Sequence, residues 1–224
     1  MKSGFFKGQS EVITFVLLGG VIVSLVGAAY MWGAPLTEKR SSMAEAESVQ
    51  AFFNVLNSKI TDMSQTCSGT CTETITLTPK GVFSVFNNER YYLSRPAPGG
   101  TEHNEYNNSV TLTTNAARSI YALDRWIGLN TGNVGKVATF GEDDGVIMIR
   151  MVKNAAGDHN ALYRLWYREI DTLKKGYLVE LETGNVQNAT AGKMTITYDG
   201  RFVVANGAAN GKDLEISRIK VDFA

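Results

Sequence analysis

Hydrophobic and polar residues change their spacing twice along this chain. No charged side chain occurs between Glu11 and Glu38. From Glu38 to Met63 the apolar residues recur at three- and four-residue steps, with charged residues on the other faces. From about residue 67 onward, short runs alternate apolar with polar residues. These spacings predict an apolar helix, an amphipathic helix and then a series of β-strands.

The uncharged segment is long enough to cross a membrane. Val12 to Trp32 would extend about 31 Å as a helix, close to the thickness of a bilayer's hydrocarbon core. Its Val, Ile, Leu and Phe residues favour membrane insertion by about 5 kcal/mol in total. Tyr30 and Trp32 suit the membrane interface, and Lys39 and Arg40 follow just outside it. The sequence therefore predicts a transmembrane helix.

Three fates of this helix are open. A secretory signal peptide would be cut at Gly27-Ala28-Ala29, a permanent anchor would stay whole, and a third possibility is a cut between Gly8 and Gln9. The amphipathic pattern argues against the first, since it continues the same helix past a bend expected at Pro35. We therefore predict a leader at residues 1–8 and one helix at 9–63, with an apolar half at 12–32 and an amphipathic half at 38–63.

A stripe of small residues runs along the apolar half. Gly20, Ser24 and Ala28 follow one another at four-residue steps, and such spacing lets a second helix approach closely. Gly is also simply common in membrane helices, so both interpretations stay open.

The remainder, residues 67–224, reads as a β domain. Its runs of β-branched and aromatic residues are bounded by Gly, Pro, Asn or Asp, which is typical of an antiparallel β-sandwich or barrel. The fold class is thus α+β, and we expect the helix to anchor the β domain without supplying its core. Local patterns predict hairpin turns at 142–145 and 198–201, a bulge between Ile216 and Ile219, and a short helix at 116–127.

Composition excludes several functions. The chain has 22 basic and 22 acidic side chains, and neither half resembles a nucleic-acid-binding tail. Cys67 and Cys71 lie four residues apart, which favours a local disulfide over free thiols, and a disulfide indicates an oxidising compartment. With two isolated histidines the chain lacks the paired ligands of a zinc site.

No motif indicates catalysis. Gly-rich phosphate loops, nucleophile elbows and metalloprotease motifs are missing from the sequence, so we expect neither an enzyme nor a bound cofactor. The acidic run 142–144 could hold calcium, although a polar turn explains it better. The aromatic and basic residues of 163–168 could form a ligand surface, although half of them should be core. Asn107 and Asn188 are candidate glycosylation sites if the domain is extracellular.

The N-terminus resembles a known family. The sequence Lys7-Gly8-Gln9-Ser10, followed by Glu11 and the apolar run, resembles the class III signal peptide of archaeal type IV pilin-like proteins. The resemblance covers residues 4 to 40 and implies that a prepilin peptidase cuts after Gly8. It also implies that the apolar helix is kept, first as a membrane anchor and then as the packed core of a filament of identical or related subunits. Many archaeal pilins carry the acidic residue at mature position five, whereas Glu11 would be the third.

The resemblance implies a cell-surface filament subunit with an extracellular β domain, structural and possibly adhesive. The alternative is a membrane-tethered protein that contacts the cell envelope without polymerising, as archaellum stator proteins do.

Overall fold

A computed structural model describes residues 7–87, 108–116, 119–133, 135, 137–153 and 157–224. Within these residues one helix precedes twelve strands, an α+β fold as the sequence predicts. The helix α1 spans Lys7–Thr66. The strands are β1 Thr72–Thr76, β2 Val82–Phe86, β3 Ser109–Ala116, β4 Ile127–Gly128, β5 Val137–Thr139, β6 Gly145–Lys153, β7 His159–Tyr167, β8 Glu169–Asp171, β9 Gly176–Thr183, β10 Asn188–Ala189, β11 Lys193–Val204 and β12 Leu214–Phe223.

The strands form two six-stranded sheets. The first has the order β1-β11-β12-β9-β8-β5 and the second β10-β2-β3-β7-β6-β4. Most neighbouring strands are antiparallel, as predicted, but β12 with β9 and β5 with β8 run parallel. Both sheets turn apolar residues into one core, so the domain is a two-layered sandwich.

Internal contacts divide the chain within α1. Residues up to Ser41 form one unit, and Ser42–Ala224 form the second. The helix continues through Pro35, and the Thr37 hydroxyl donates a 3.0 Å hydrogen bond to the Gly33 carbonyl.

The amphipathic part of α1 is a core element, which corrects the expectation that the helix only anchors the domain. Val49, Phe53, Leu56 and Ile60 are completely buried. They recur at three- and four-residue steps, so one helical face is apolar and packs on both sheets. The Phe52 ring lies 5.3 Å from that of Phe83 in β2. The helical spacing of apolar residues after Glu38 therefore marks the face that packs into the core of the β domain.

A buried asparagine joins the two sheets. Asn108, only 2% exposed, donates from Nδ2 to the carbonyls of Tyr167 (3.0 Å) in the second sheet and Val179 (2.8 Å) in the first. Its Oδ1 accepts from the Leu181 amide at 2.7 Å. Burying a side-chain amide costs little free energy when its donors and its acceptor are hydrogen-bonded. A buried group left without a partner lowers stability by about 1–3 kcal/mol. Asn108 therefore fixes the position of β7 against β9.

The helix also meets β6 closely. A Cβ added at Gly145 would lie 2.0 Å from Oδ1 of Asn57. The same Asn57 oxygen accepts a 2.8 Å hydrogen bond from the Tyr167 hydroxyl. Burial raises the pKa of Tyr167 well above its usual value, so this hydroxyl remains a donor. Gly145 thus leaves room for the polar contact between helix and sheet.

Several local expectations were wrong. Tyr198–Arg201 is not a hairpin turn, because β11 passes through it as one twelve-residue strand. The predicted bulge lies there, between Tyr198 and Gly200, and not in β12. The apolar phase of β12 changes because Leu214 and Ile216 belong to a second small cluster, while Ile219 and Val221 face the main core.

Two further corrections concern connections. The turn at 142–145 joins β5 to β6, which belong to different sheets, so it is not a hairpin. The helix expected at 116–127 is not found in the described residues of that stretch, where β3 ends at Ala116 and β4 begins at Ile127.

Candidate assembly interface

The N-terminal half of α1 exposes all its large apolar side chains. Between Val12 and Leu36 their exposed fractions run from 53% at Ile22 to 81% at Phe15 and Trp32. A stretch of this length and composition could cross a membrane. Exposing this surface to water costs a free energy of about 25 cal/mol per Å² of apolar area. The segment therefore requires a lipid or protein environment.

The small-residue stripe of α1 lies on an exposed surface. Gly20, Ser24 and Ala28 are exposed, and a Cβ added at Gly20 would meet no atom within 4 Å. The Ser24 hydroxyl donates to the Gly20 carbonyl at 2.8 Å, which satisfies it inside the helix. Ser24 can therefore enter an apolar contact without leaving a polar group unpaired.

The sequence-predicted processing residues lie at the start of α1. Lys7, Gly8, Gln9 and Ser10 form its first turn, which contains no acidic residue, and Glu11 comes next. A cut after Gly8 would bring Glu11 into the first turn. A carboxylate is stabilised there by the helix dipole, by about 0.3–1 kcal/mol at an exposed site.

Cys67 and Cys71 are joined, with their Sγ atoms 2.13 Å apart, as their spacing predicts. The bridge follows the end of α1, where the Cys67 amide donates to the Met63 carbonyl at 3.2 Å. The Tyr198 amide donates to the Cys71 carbonyl at 2.9 Å. The disulfide loop thus connects the helix end to β11.

The two candidate glycosylation sites differ in their surroundings. Asn188 is exposed in β10, an edge strand of its sheet. Asn107 lies outside the described residues, but its sequon partners Asn108 and Ser109 are 2% and 0% exposed. Asn188 therefore offers an accessible acceptor in the described part of the chain.

The acidic run 142–144 forms a turn. The Glu142 carboxylate accepts from Asn133 Nδ2 and from the Thr139 amide, each at 2.8 Å. These hydrogen bonds hold the pKa of Glu142 below its usual value. No group of three metal-binding side chains occurs among the described residues.

The strand β7, which carries the aromatic and basic residues, is largely buried. Tyr163 and Tyr167 lie in the main core, as alternation predicts. The Arg164 guanidinium is stacked 5.0 Å from the Trp166 ring and 5.8 Å from the Trp126 ring. With Arg164 only 5% exposed, this strand offers no open ligand surface at that position.

Sequence reasoning missed a buried carboxylate that pairs with two partly exposed cations. The Glu215 carboxylate, 8% exposed as a residue, pairs with Lys175 and, at 3.1 Å, with Arg201. Alternation along β12 was the available signal, because it places Glu215 on the same face as Ile219.

Protein-family models, curated proteins and solved structures were compared with this chain, and none of them matches.

Proposed function

We propose that this chain is an archaeal pilin-like surface protein, cut after Gly8 and assembled into a type IV pilus-like filament. The observation that carries the proposal is the division of α1. Its first half is apolar and exposed all round, and its second half packs one apolar face into the core of the β domain. A helix of this kind suits a subunit whose apolar half moves from a lipid environment into a bundle of equivalent helices.

The division of α1 disfavours a removable signal peptide. Signal peptides end before the mature fold, whereas here the apolar segment belongs to the same helix as the core residues Val49 to Met63. A cut after Gly8 keeps both halves of the helix, while a cut at Ala29 would discard the apolar one.

Charge explains why a filament subunit would need the early cut. Removing residues 1–8 takes away Lys2 and Lys7, so the formal balance changes from 22 against 22 to 20 basic against 22 acidic. The positive cytoplasmic flank that orients the helix is lost with them. The new amine of Gln9 then lies beside Glu11, and such a pair enters an apolar bundle at lower cost than two lysines.

The partners follow from this mechanism. The membrane holds the precursor, a prepilin peptidase processes it, and other pilin-like subunits or further copies of the chain receive the apolar helix. Gly20, Ser24 and Ala28 offer a close contact for a neighbouring helix. The β domain, with its disulfide, lies outside the cell, where disulfides persist.

Terminal sequencing of the native protein tests the processing step. Gln9 as the first residue supports the proposal, Tyr30 identifies a secretory signal peptide, and Met1 identifies a permanent anchor. Either of the last two results rejects it.

The alternative is a tethered protein that contacts the envelope without polymerising. The same exposed apolar helix supports it, since one membrane-spanning helix suffices for anchoring. Sedimentation separates the two. A filament subunit appears in fibres sheared from the cells, whereas a tether stays with the membrane fraction.

A further inference from the structure

The edge strand β10 presents a glycosylation sequon to solvent. Among the described strands β10 ends the second sheet, so it pairs on one side only, with β2. Asn188 lies opposite Ser84, and Ala189 lies opposite Phe83. Ala189 packs against the main core, so the pleat directs the Asn188 side chain outward. Thr190, which completes the sequon, is exposed as well.

The Asn188 amide is available for reaction in the folded domain. Its side chain makes no hydrogen bond with the described residues, so modification would break no contact of the fold. The hydroxyl of Thr190, the third sequon position, is exposed beside it. The Cys67–Cys71 bond indicates that the same domain matures in an oxidising compartment.

Exposed apolar side chains lie next to this acceptor. Along β2, Val82 and Phe86 are 44% and 37% exposed, while the residues between them alternate with buried positions. Val82, Ser84 and Phe86 therefore share the outer face of β2. Since Asn188 is paired with Ser84, Val82 and Phe86 are its two diagonal neighbours, at about 7–8 Å. We call Val82 and Phe86 the apolar strip.

A sugar attached to Asn188 would reach the apolar strip. One face of a sugar ring consists of C–H groups, and its contact with apolar side chains removes apolar surface of both from water. The bulk of a glycan would also lie along β10, where an uncovered sheet edge invites pairing with a strand of another molecule. Both effects follow from the position of Asn188 on the edge strand.

We propose that Asn188 carries an N-linked glycan whose first sugar packs on the apolar strip. In the transfer, Nδ2 of Asn188 bonds to the anomeric carbon of a sugar carried on a lipid phosphate. The bond from that carbon to the phosphate oxygen breaks, and the proton lost from Nδ2 leaves with the phosphate. The inference rests on the extracellular position of the β domain in the proposed function.

Peptide mass spectrometry of the protein isolated from its own cells tests the attachment. Trypsin releases peptide 176–193, which contains the Asn188 sequon, and we expect its mass to be raised by sugar units. An unmodified peptide from protein that begins at Gln9 overturns this inference and leaves the proposed processing intact. A modified peptide from protein that begins at Met1 supports the glycan and rejects the processing.

Two variants made in the same cells test the acceptor. Thr190→Ala removes the hydroxyl that the sequon requires, so peptide 176–193 should lose its added mass. Thr74→Ala makes the same change at an exposed position of β1, in the other sheet, and should leave the added mass unchanged. Added mass that persists in Thr190→Ala, or is lost in Thr74→Ala, would overturn the assignment.

A thermodynamic cycle tests the packing of the sugar. Loss of the glycan through Thr190→Ala should lower Tm by about 2–4 °C in uncharged detergent micelles, because the apolar strip returns to water. In a Phe86→Ala background the same loss should lower Tm by much less, since the surface beneath the sugar is smaller. Equal shifts in the two backgrounds, or no shift in either, would overturn the packing.

Discussion

The β domain should not fold without the second half of α1. Removing residues up to 66 takes away six large buried side chains, those of Val49, Phe52, Phe53, Leu56, Ile60 and Met63. Burial of one such side chain contributes about 1.5–3 kcal/mol, so the six together contribute about 9–18 kcal/mol. Domains are stable by only about 5–15 kcal/mol in total. The fragment 67–224 should therefore lack a cooperative native state.

The matched fragment is 42–224, which keeps the packed part of the helix and omits the apolar half. It should unfold in one cooperative thermal transition, followed by near-UV circular dichroism, and fragment 67–224 should show none. A cooperative transition in the shorter fragment would refute the reasoning, because the sheets would then hold their core alone.

Point substitutions in the 42–224 fragment refine the same test. Leu56→Ala removes a completely buried side chain and should lower the free energy of unfolding by about 2–5 kcal/mol. The adjacent Val55 is 50% exposed, and Val55→Ala should change it by less than about 1 kcal/mol. Equal effects of the two changes, measured by urea denaturation, would contradict the assigned helix face.

Three further predictions concern processing, the disulfide and pH. Gly8→Val should leave an unprocessed membrane-bound precursor that forms no sheared fibres, seen as a heavier band on a gel; normal processing would contradict the assigned site. Intact mass spectrometry should find the unreduced protein lighter than the reduced one by two hydrogen atoms, because Cys67 and Cys71 are bonded, and equal masses would exclude the bond. Burial raises the pKa of Asp144 in the folded state above its unfolded pKa of about 3.8. The free energy of unfolding should therefore fall as the pH rises from about 3.8 through the folded pKa, because the carboxyl ionises less readily in the folded protein. Asp144→Asn should therefore gain stability relative to the parent at pH 7 and lose that advantage below pH 3.8, as measured by urea denaturation across pH; a pH-independent difference would refute the assignment.

The helix could be predicted from sequence because its signals are local. An uncharged run sets the extent of the apolar half, and a 3.6-residue period marks the buried face of the second. The short Cys67–Cys71 loop is local too. The β class also followed from alternation, since each strand carries its own period of two.

What the sequence did not decide was pairing between distant segments. Tyr198–Arg201 contains Asp-Gly, a turn signal, yet β12 pairs with β11 on both sides of it and extends one strand through a bulge. Ladder hydrogen bonds over ten residue pairs outweigh a local turn preference worth about 1 kcal/mol. The parallel pair of β12 with β9 depends equally on partners far apart in the chain.

The same distinction applies to the candidate sites. The sequence by itself determined the apolar helix, its small-residue stripe and the residues around Gly8, because each is a continuous segment. Only the tertiary structure brought Glu215 to Lys175 and Arg201, and only it assigned Asn108 to the contact between the sheets. The physical reason is that burial and charge compensation depend on neighbours in space, which a linear pattern does not specify.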